Sequence, residues 1–150
     1  MKNALALALL VLSLNDLCTA QTQTAKRLSF DPEQVERVEI LYFPERILVR
    51  AALSPERLEQ LYHYKLEIRN VRETDEGRRL LSLLHETSVE PSGHAYDHRT
   101  AVFLVDQNGR RVASMYFSQF GGGGTIDGVS GTIRGGVYQW ARSLLKGIAD

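Results

Sequence analysis

Two apolar runs, Thr100–Asp106 and Arg111–Phe117, flank Asp106-Gln107-Asn108-Gly109-Arg110, and this arrangement constrains the fold more than any other stretch. Asn-Gly between extended apolar segments is the strongest short hairpin signal, because both residues accept the positive φ of a type I′ turn. The chain is thereby committed to an antiparallel sheet. Val102, Phe103, Leu104 and Val105 are apolar on both faces, which predicts a central strand covered on each side.

The remaining segments fit around that hairpin. In Val35–Phe43, Val38, Ile40 and Tyr42 share one face while Arg37, Glu39 and Leu41 share the other, so a strand is expected, broken by Pro44-Glu45. Ile47, Val49, Ala51 and Leu53 alternate again and predict its hairpin partner. Ser54-Pro55-Glu56 combines a hydroxyl N-cap, Pro at the first helical position and an acid in the first turn. Leu58, Leu61 and Tyr62 form the stripe of that short helix. Tyr64, Leu66 and Ile68 then alternate with Lys65, Glu67 and Arg69, as in a half-exposed strand.

A second helix opens near Thr74-Asp75 with Leu80, Leu83, Leu84 and Thr87 inward, and Val89–His98 is expected to be a loop marked by Pro91, Ser92 and Gly93. Gly121–Gly136 is glycine-rich, with room for a short further strand. Val137, Trp140, Ala141, Leu144, Leu145 and Ile148 carry the i, i+3, i+4, i+7, i+8, i+11 spacing of a closing amphipathic helix.

The order ββαβαββ(β)α predicts a single α+β domain: an antiparallel sheet of roughly five to six strands with two or three helices on one face. It excludes a doubly wound nucleotide fold.

The N-terminus predicts export. Met1-Lys2-Asn3 is a short positive region, Ala4–Leu14 is apolar apart from Ser13, and Cys18-Thr19-Ala20 places small residues before a cut at Gln21. The apolar run falls well short of the roughly 20 residues of a membrane span, so no transmembrane anchor is expected after cleavage. A buried N-terminal helix is the competing reading, but nothing caps one. Lipid attachment at Cys18 is disfavoured by Asn15, Asp16 and Leu17 before it.

Residues 1–20 are thus expected to be a signal peptide, 21–34 a flexible leader and 35–150 the domain. Its location would be the periplasm in a Gram-negative cell, and otherwise the medium. The chain's single Cys would leave with the signal, so the domain would hold no disulfide or thiolate chemistry. Lys2 and Asp16 leave together, so the even balance of 18 basic and 18 acidic residues persists and argues against nucleic acid.

Few residues suggest chemistry. His94, Asp97 and His98 place two imidazoles and a carboxylate on one loop, a set that could ligate a metal or act as an acid–base pair. Their spacing matches no established metal pattern, and the bland reading is a solvated loop. The glycines from Gly121 onward could cradle an anion, yet no phosphate-binding motif accompanies them, and a mobile turn is the simpler expectation. His63 lies where a helix gives way to a strand, and His85 sits on the second helix beside its apolar face. Ser114 and Ser118 lack a G-x-S-x-G elbow.

Tyr62, Tyr64 and Arg69, with Tyr116, Phe120, Gly122 and Gly123, have the aromatic, Arg and glycine composition of a binding surface. The function expected is a non-enzymatic binding protein without a cofactor, such as an inhibitor or immunity-type protein acting on another protein. The alternative is a small hydrolase using His94, Asp97 and His98.

Overall fold

Short extended and helical segments alternate from Lys26 to Leu145 in the computed structural model, which describes residues 24–146. Strands β1 (Lys26–Arg27) and β2 (Arg37–Tyr42) precede helix α1 (Pro55–Leu61), and β3 (Tyr64–Arg69) precedes α2 (Asp75–His85). Strands β4 (Ser88–Pro91), β5 (His98–Val105), β6 (Arg111–Ser118), β7 (Gly123–Ile126) and β8 (Val129–Arg134) follow, and α3 (Val137–Leu145) closes the fold. All eight strands form one sheet in the order β1-β4-β8-β7-β6-β5-β2-β3. Every neighbouring pair is antiparallel. The α+β class is as the sequence implies, with more strands than expected.

The central-strand reading of β5 holds: all eight of its residues are buried, between β6 and β2. The β5–β6 hairpin forms, but its turn differs from type I′. Only Gly109 takes positive φ (78°) there. Asp106 draws the loop in, its Oδ1 accepting from the N–H of Asn108 (2.8 Å) and of Arg110 (2.9 Å). The result is a longer loop with one left-handed glycine.

A two-residue turn with positive φ at both positions occurs instead at Asp127 (44°) and Gly128 (79°), joining β7 to β8. The glycine-rich passage is therefore a hairpin within the sheet. Its glycines permit close approach: a Cβ at Gly131 would strike the Glu90 carbonyl of β4.

The sheet buries both faces. On one, Val38, Ile40, Val102, Leu104, Met115 and Phe117 meet Leu80 and Leu84 of α2 and Val137, Trp140 and Leu145 of α3. On the other, Leu41, Ala101, Phe103 and Tyr116 meet Leu53 and Leu58. Helix α1 thus packs opposite α2 and α3, correcting the one-face expectation. Tyr116 and Phe117 point to opposite faces, as adjacent strand residues must. The predicted N-cap of α1 forms, Ser54 accepting from Arg57 N–H (3.3 Å), and Thr74 caps α2 in the same way, accepting from Gly77 N–H (3.1 Å).

Ile47–Leu53 is no strand. Both sides of β2 are already occupied, by β3 and β5. The alternation there instead records a loop crossing the second face, with Ile47, Val49 and Leu53 packed inward. The expected Val89–His98 loop is shorter, because Ser88–Pro91 pairs with β8 as β4. Order also begins before Val35: β1 pairs with β4, and Leu28 is buried. The expected signal peptide, including Cys18, and Ile148 lie outside the described residues.

Candidate functional site

The start of β5 shows what the His94–His98 segment does. Asp97 Oδ1 accepts from Leu53 N–H (2.8 Å), and its Oδ2 takes Nε (2.8 Å) and Nη2 (2.7 Å) of Arg99. Arg99 is buried and continues to the carbonyls of Ile47 (3.0 Å) and Pro44 (3.4 Å) over the Phe43 ring. Together the pair clamps the 44–53 loop to the sheet. The loop's polar backbone groups are satisfied by these side chains where a strand would use a neighbouring strand.

His98 is also buried, and both ring nitrogens have partners: Nδ1 lies 2.9 Å from the Leu53 carbonyl and Nε2 3.2 Å from Thr125 Oγ1. A carbonyl only accepts, so Nδ1 carries the proton and Nε2 of the neutral ring accepts from Thr125. Thr125 Oγ1 in turn accepts from Ser130 Oγ, 3.0 Å away on the paired strand. Burial lowers the His98 pKa, opposed by the Leu53 carbonyl and the Asp97 and Glu56 charges.

His94 is exposed. The three candidate residues therefore serve different ends. Among the described residues no group of three or more His, Cys, Asp or Glu side chains is placed to hold a metal.

The lowered His98 pKa has a testable sign. The unfolded chain binds the imidazole proton first, so this contribution is complete above the ordinary His pKa of about 6.5 and fades as pH falls below it. Unfolding free energy should decline from pH 7 to 5 with a His98 component of at most about 1.4 kcal/mol per pH unit. Denaturation of wild type and His98→Gln across that range checks it. An unchanged slope in the variant would contradict it.

Beside His98 an open cleft of about 500 Å³ is lined by Ser54, Glu56, Tyr96, Ser114, Tyr116, Thr125 and Ser130, among others. The Tyr116 hydroxyl donates to Glu59, whose other oxygen meets Arg111 at 2.8 Å. Burial, then the Glu59 hydrogen bond, pushes the phenol pKa far up, so Tyr116 remains a neutral donor. Tyr96 bonds Ser92 (3.0 Å) and lies where a Cβ at Gly123 would stand. The cleft thus offers hydroxyls on a fixed floor, with its one imidazole already spoken for.

No family model, curated protein or solved structure matches the chain.

Of the other candidates, Tyr62, Tyr64, Phe120 and Gly122 lie in or next to connections at one end of the sheet. Tyr42 of β2 pairs with Tyr64 of β3 and Thr100 of β5, while His98 of β5 pairs with Ser118 of β6. The connections leaving β2, entering β3 and leaving β6 therefore emerge together. They carry Leu48 (92% exposed), Leu61 (41%), Tyr62 (40%) and Phe120 (82%), the exposed large hydrophobics among the described residues. Tyr64, half-buried, stacks on Tyr42 at 6.3 Å, and exposed Gly122 follows Phe120.

Arg69 lies at the far end of β3, bound to Glu67 at 2.5 Å, away from this group. Tyr116 and Gly123 belong to the face with the cleft. The sequence reading missed Leu48, Thr125 and Ser130. Leu48 was hidden by the false strand, but Asp127-Gly128 signals the turn that sets Thr125 opposite Ser130.

Proposed function

We propose that this is an exported, non-enzymatic binding protein, of inhibitor or immunity type, that docks on another protein through the apolar end of its sheet. The observation that carries this reading is that the chain segments bearing exposed Leu48, Leu61, Tyr62 and Phe120 all join the sheet at that end. The strand ends that lead into these segments, from β6 to β3, lie three strand spacings apart, about 14 Å. Arg46 and Arg50 flank Leu48 and are exposed, and aromatic side chains with Arg dominate binding hot spots. The hydroxyl-lined cleft is not needed for this role. The N-terminal signal pattern supports a periplasmic or secreted location.

The test uses residues 21–150 of the wild type and of Tyr62→Ser/Phe120→Ser as bait in native envelope and culture extracts. Both side chains are exposed, so the variant should fold normally. Retention of the wild-type partner should fall roughly a hundredfold or more, given about 2 kcal/mol or more per hot-spot residue. Equal retention by the variant would contradict this docking surface. His94→Ala should bind as wild type.

A further inference from the structure

Strand β3 ends the sheet, and among the described residues no strand pairs with its outer edge. The free backbone groups can be identified. Phe43 N–H donates to the Arg99 carbonyl (2.9 Å) in register with the β2–β5 ladder, so odd-numbered residues of β2 bond β5 and even-numbered ones bond β3. Ile40 faces Leu66 and Val38 faces Ile68, so Leu66 and Ile68 spend their backbone groups on β2. Lys65 and Glu67 consequently direct N–H and C=O outward.

The side chains sort in the same alternation. Tyr64, Leu66 and Ile68 lie on the side of α2 and α3 and are only partly buried. Leu66 and Ile68 line an apolar groove with Leu144, against Thr74–Glu76 at the start of α2. Lys65, Glu67 and Arg69 lie on the opposite face.

We propose that two copies of the chain pair β3 to β3 in antiparallel fashion, about a two-fold axis through Leu66, and continue the sheet from one copy to the other. Charge complementarity selects both occupant and register. With Leu66 opposite Leu66 of the second copy, Lys65 faces Glu67 of that copy and Glu67 faces its Lys65. Those residues are the ones whose backbone groups are free, so each outward N–H meets an outward carbonyl. Tyr64 then faces Ile68 of the second copy, and the two apolar grooves become neighbours.

Moving the axis to Glu67 would set Glu67 against Glu67 and Lys65 against Arg69. Moving it to Lys65 would set Lys65 against Lys65. Like charges directly opposite destabilise a strand pair. An axis on Ile68 would also set Glu67 against Arg69, but it would place Leu66 against Asn70 beyond the strand, whereas the register on Leu66 keeps its pairs within β3.

Sedimentation equilibrium on residues 21–150, from about 1 to 100 µM, reads the result. The wild type should self-associate to twice the monomer mass. Lys65→Glu and Glu67→Lys each place two like-charged pairs across the axis and should raise the dimer Kd roughly tenfold. Lys65→Glu/Glu67→Lys should restore it, because the complementary pairs are re-formed with exchanged signs. Circular dichroism of each variant separates lost pairing from lost folding, since Lys65 also meets Glu39 at 3.0 Å within the chain. Glu67→Pro is a second probe: it removes an outward N–H together with the carboxylate that meets Arg69 within the chain, and should also abolish the dimer. A wild type that stays monomeric leaves the edge to the chain's own termini or to another protein, and overturns the proposal. A dimer indifferent to all these changes overturns it equally.

Discussion

Asp97→Ala should lower the unfolding free energy by about 3 kcal/mol. Removing one partner of a buried ion pair costs about 3–5 kcal/mol, and Arg99, with 7% of its side chain exposed, would keep its charge without its carboxylate. The low end applies because 32% of the Asp97 side chain is open to water. The Leu53 N–H would lose its acceptor as well. A fall in Tm of roughly 10 °C is expected for a domain of this size, measured by circular dichroism. Asp97→Asn should lose less, since an amide oxygen can still accept from Leu53. A stable Asp97→Ala that had lost function would reverse this view and return Asp97 to the chemistry of the alternative hydrolase reading.

Trp140→Ala should cost about 4 kcal/mol, within the range for removing a buried aromatic. The ring is 1% exposed in the layer between sheet and helices, and its Nε1–H donates to Glu76 of α2 at 3.0 Å. One residue therefore joins α3 to both the sheet and α2. Trp140→Phe should lose about 1–2 kcal/mol, because most of the volume stays and the hydrogen bond goes. Urea denaturation followed by far-ultraviolet dichroism gives both values, Trp140 being the only tryptophan and hence no optical probe in either variant. A loss below about 1 kcal/mol for Trp140→Ala would contradict a fully packed core at that position.

The sequence was most legible where local chemistry and tertiary packing agree. The α3 stripe, the cap at Ser54, the start of α2 near Thr74 and the apolar run of β5 each satisfy propensity and burial together. It misled where burial imitates a strand. Ile47, Val49 and Leu53 alternate because a loop lies across a flat apolar surface, and no local signal shows that both sides of β2 are already filled.

The glycines from Gly121 onward misled in the opposite sense. Their low strand propensity masks a hairpin whose neighbours, the Glu90 carbonyl and the Tyr96 ring, leave no room for a side chain. Asp127-Gly128 was the available clue, a stronger turn signal than the glycine tract before it. At the candidate site, types were visible and roles were not. Nothing local says that Asp97 and His98 hold down a loop more than 40 residues away, at Leu53. Tyr62 and Phe120 could be suspected from composition, but only the strand order brings them to one end.

The central claim is that this end meets another protein. Site-specific photo-crosslinking tests it most directly, with benzoylphenylalanine placed at Tyr62, at Phe120 and, as a control, at exposed Gln107 in the β5–β6 loop at the opposite end. In the native host the account predicts the same discrete adduct from positions 62 and 120 and none from 107. No adduct at 62 and 120, or an identical one from all three positions, would contradict it.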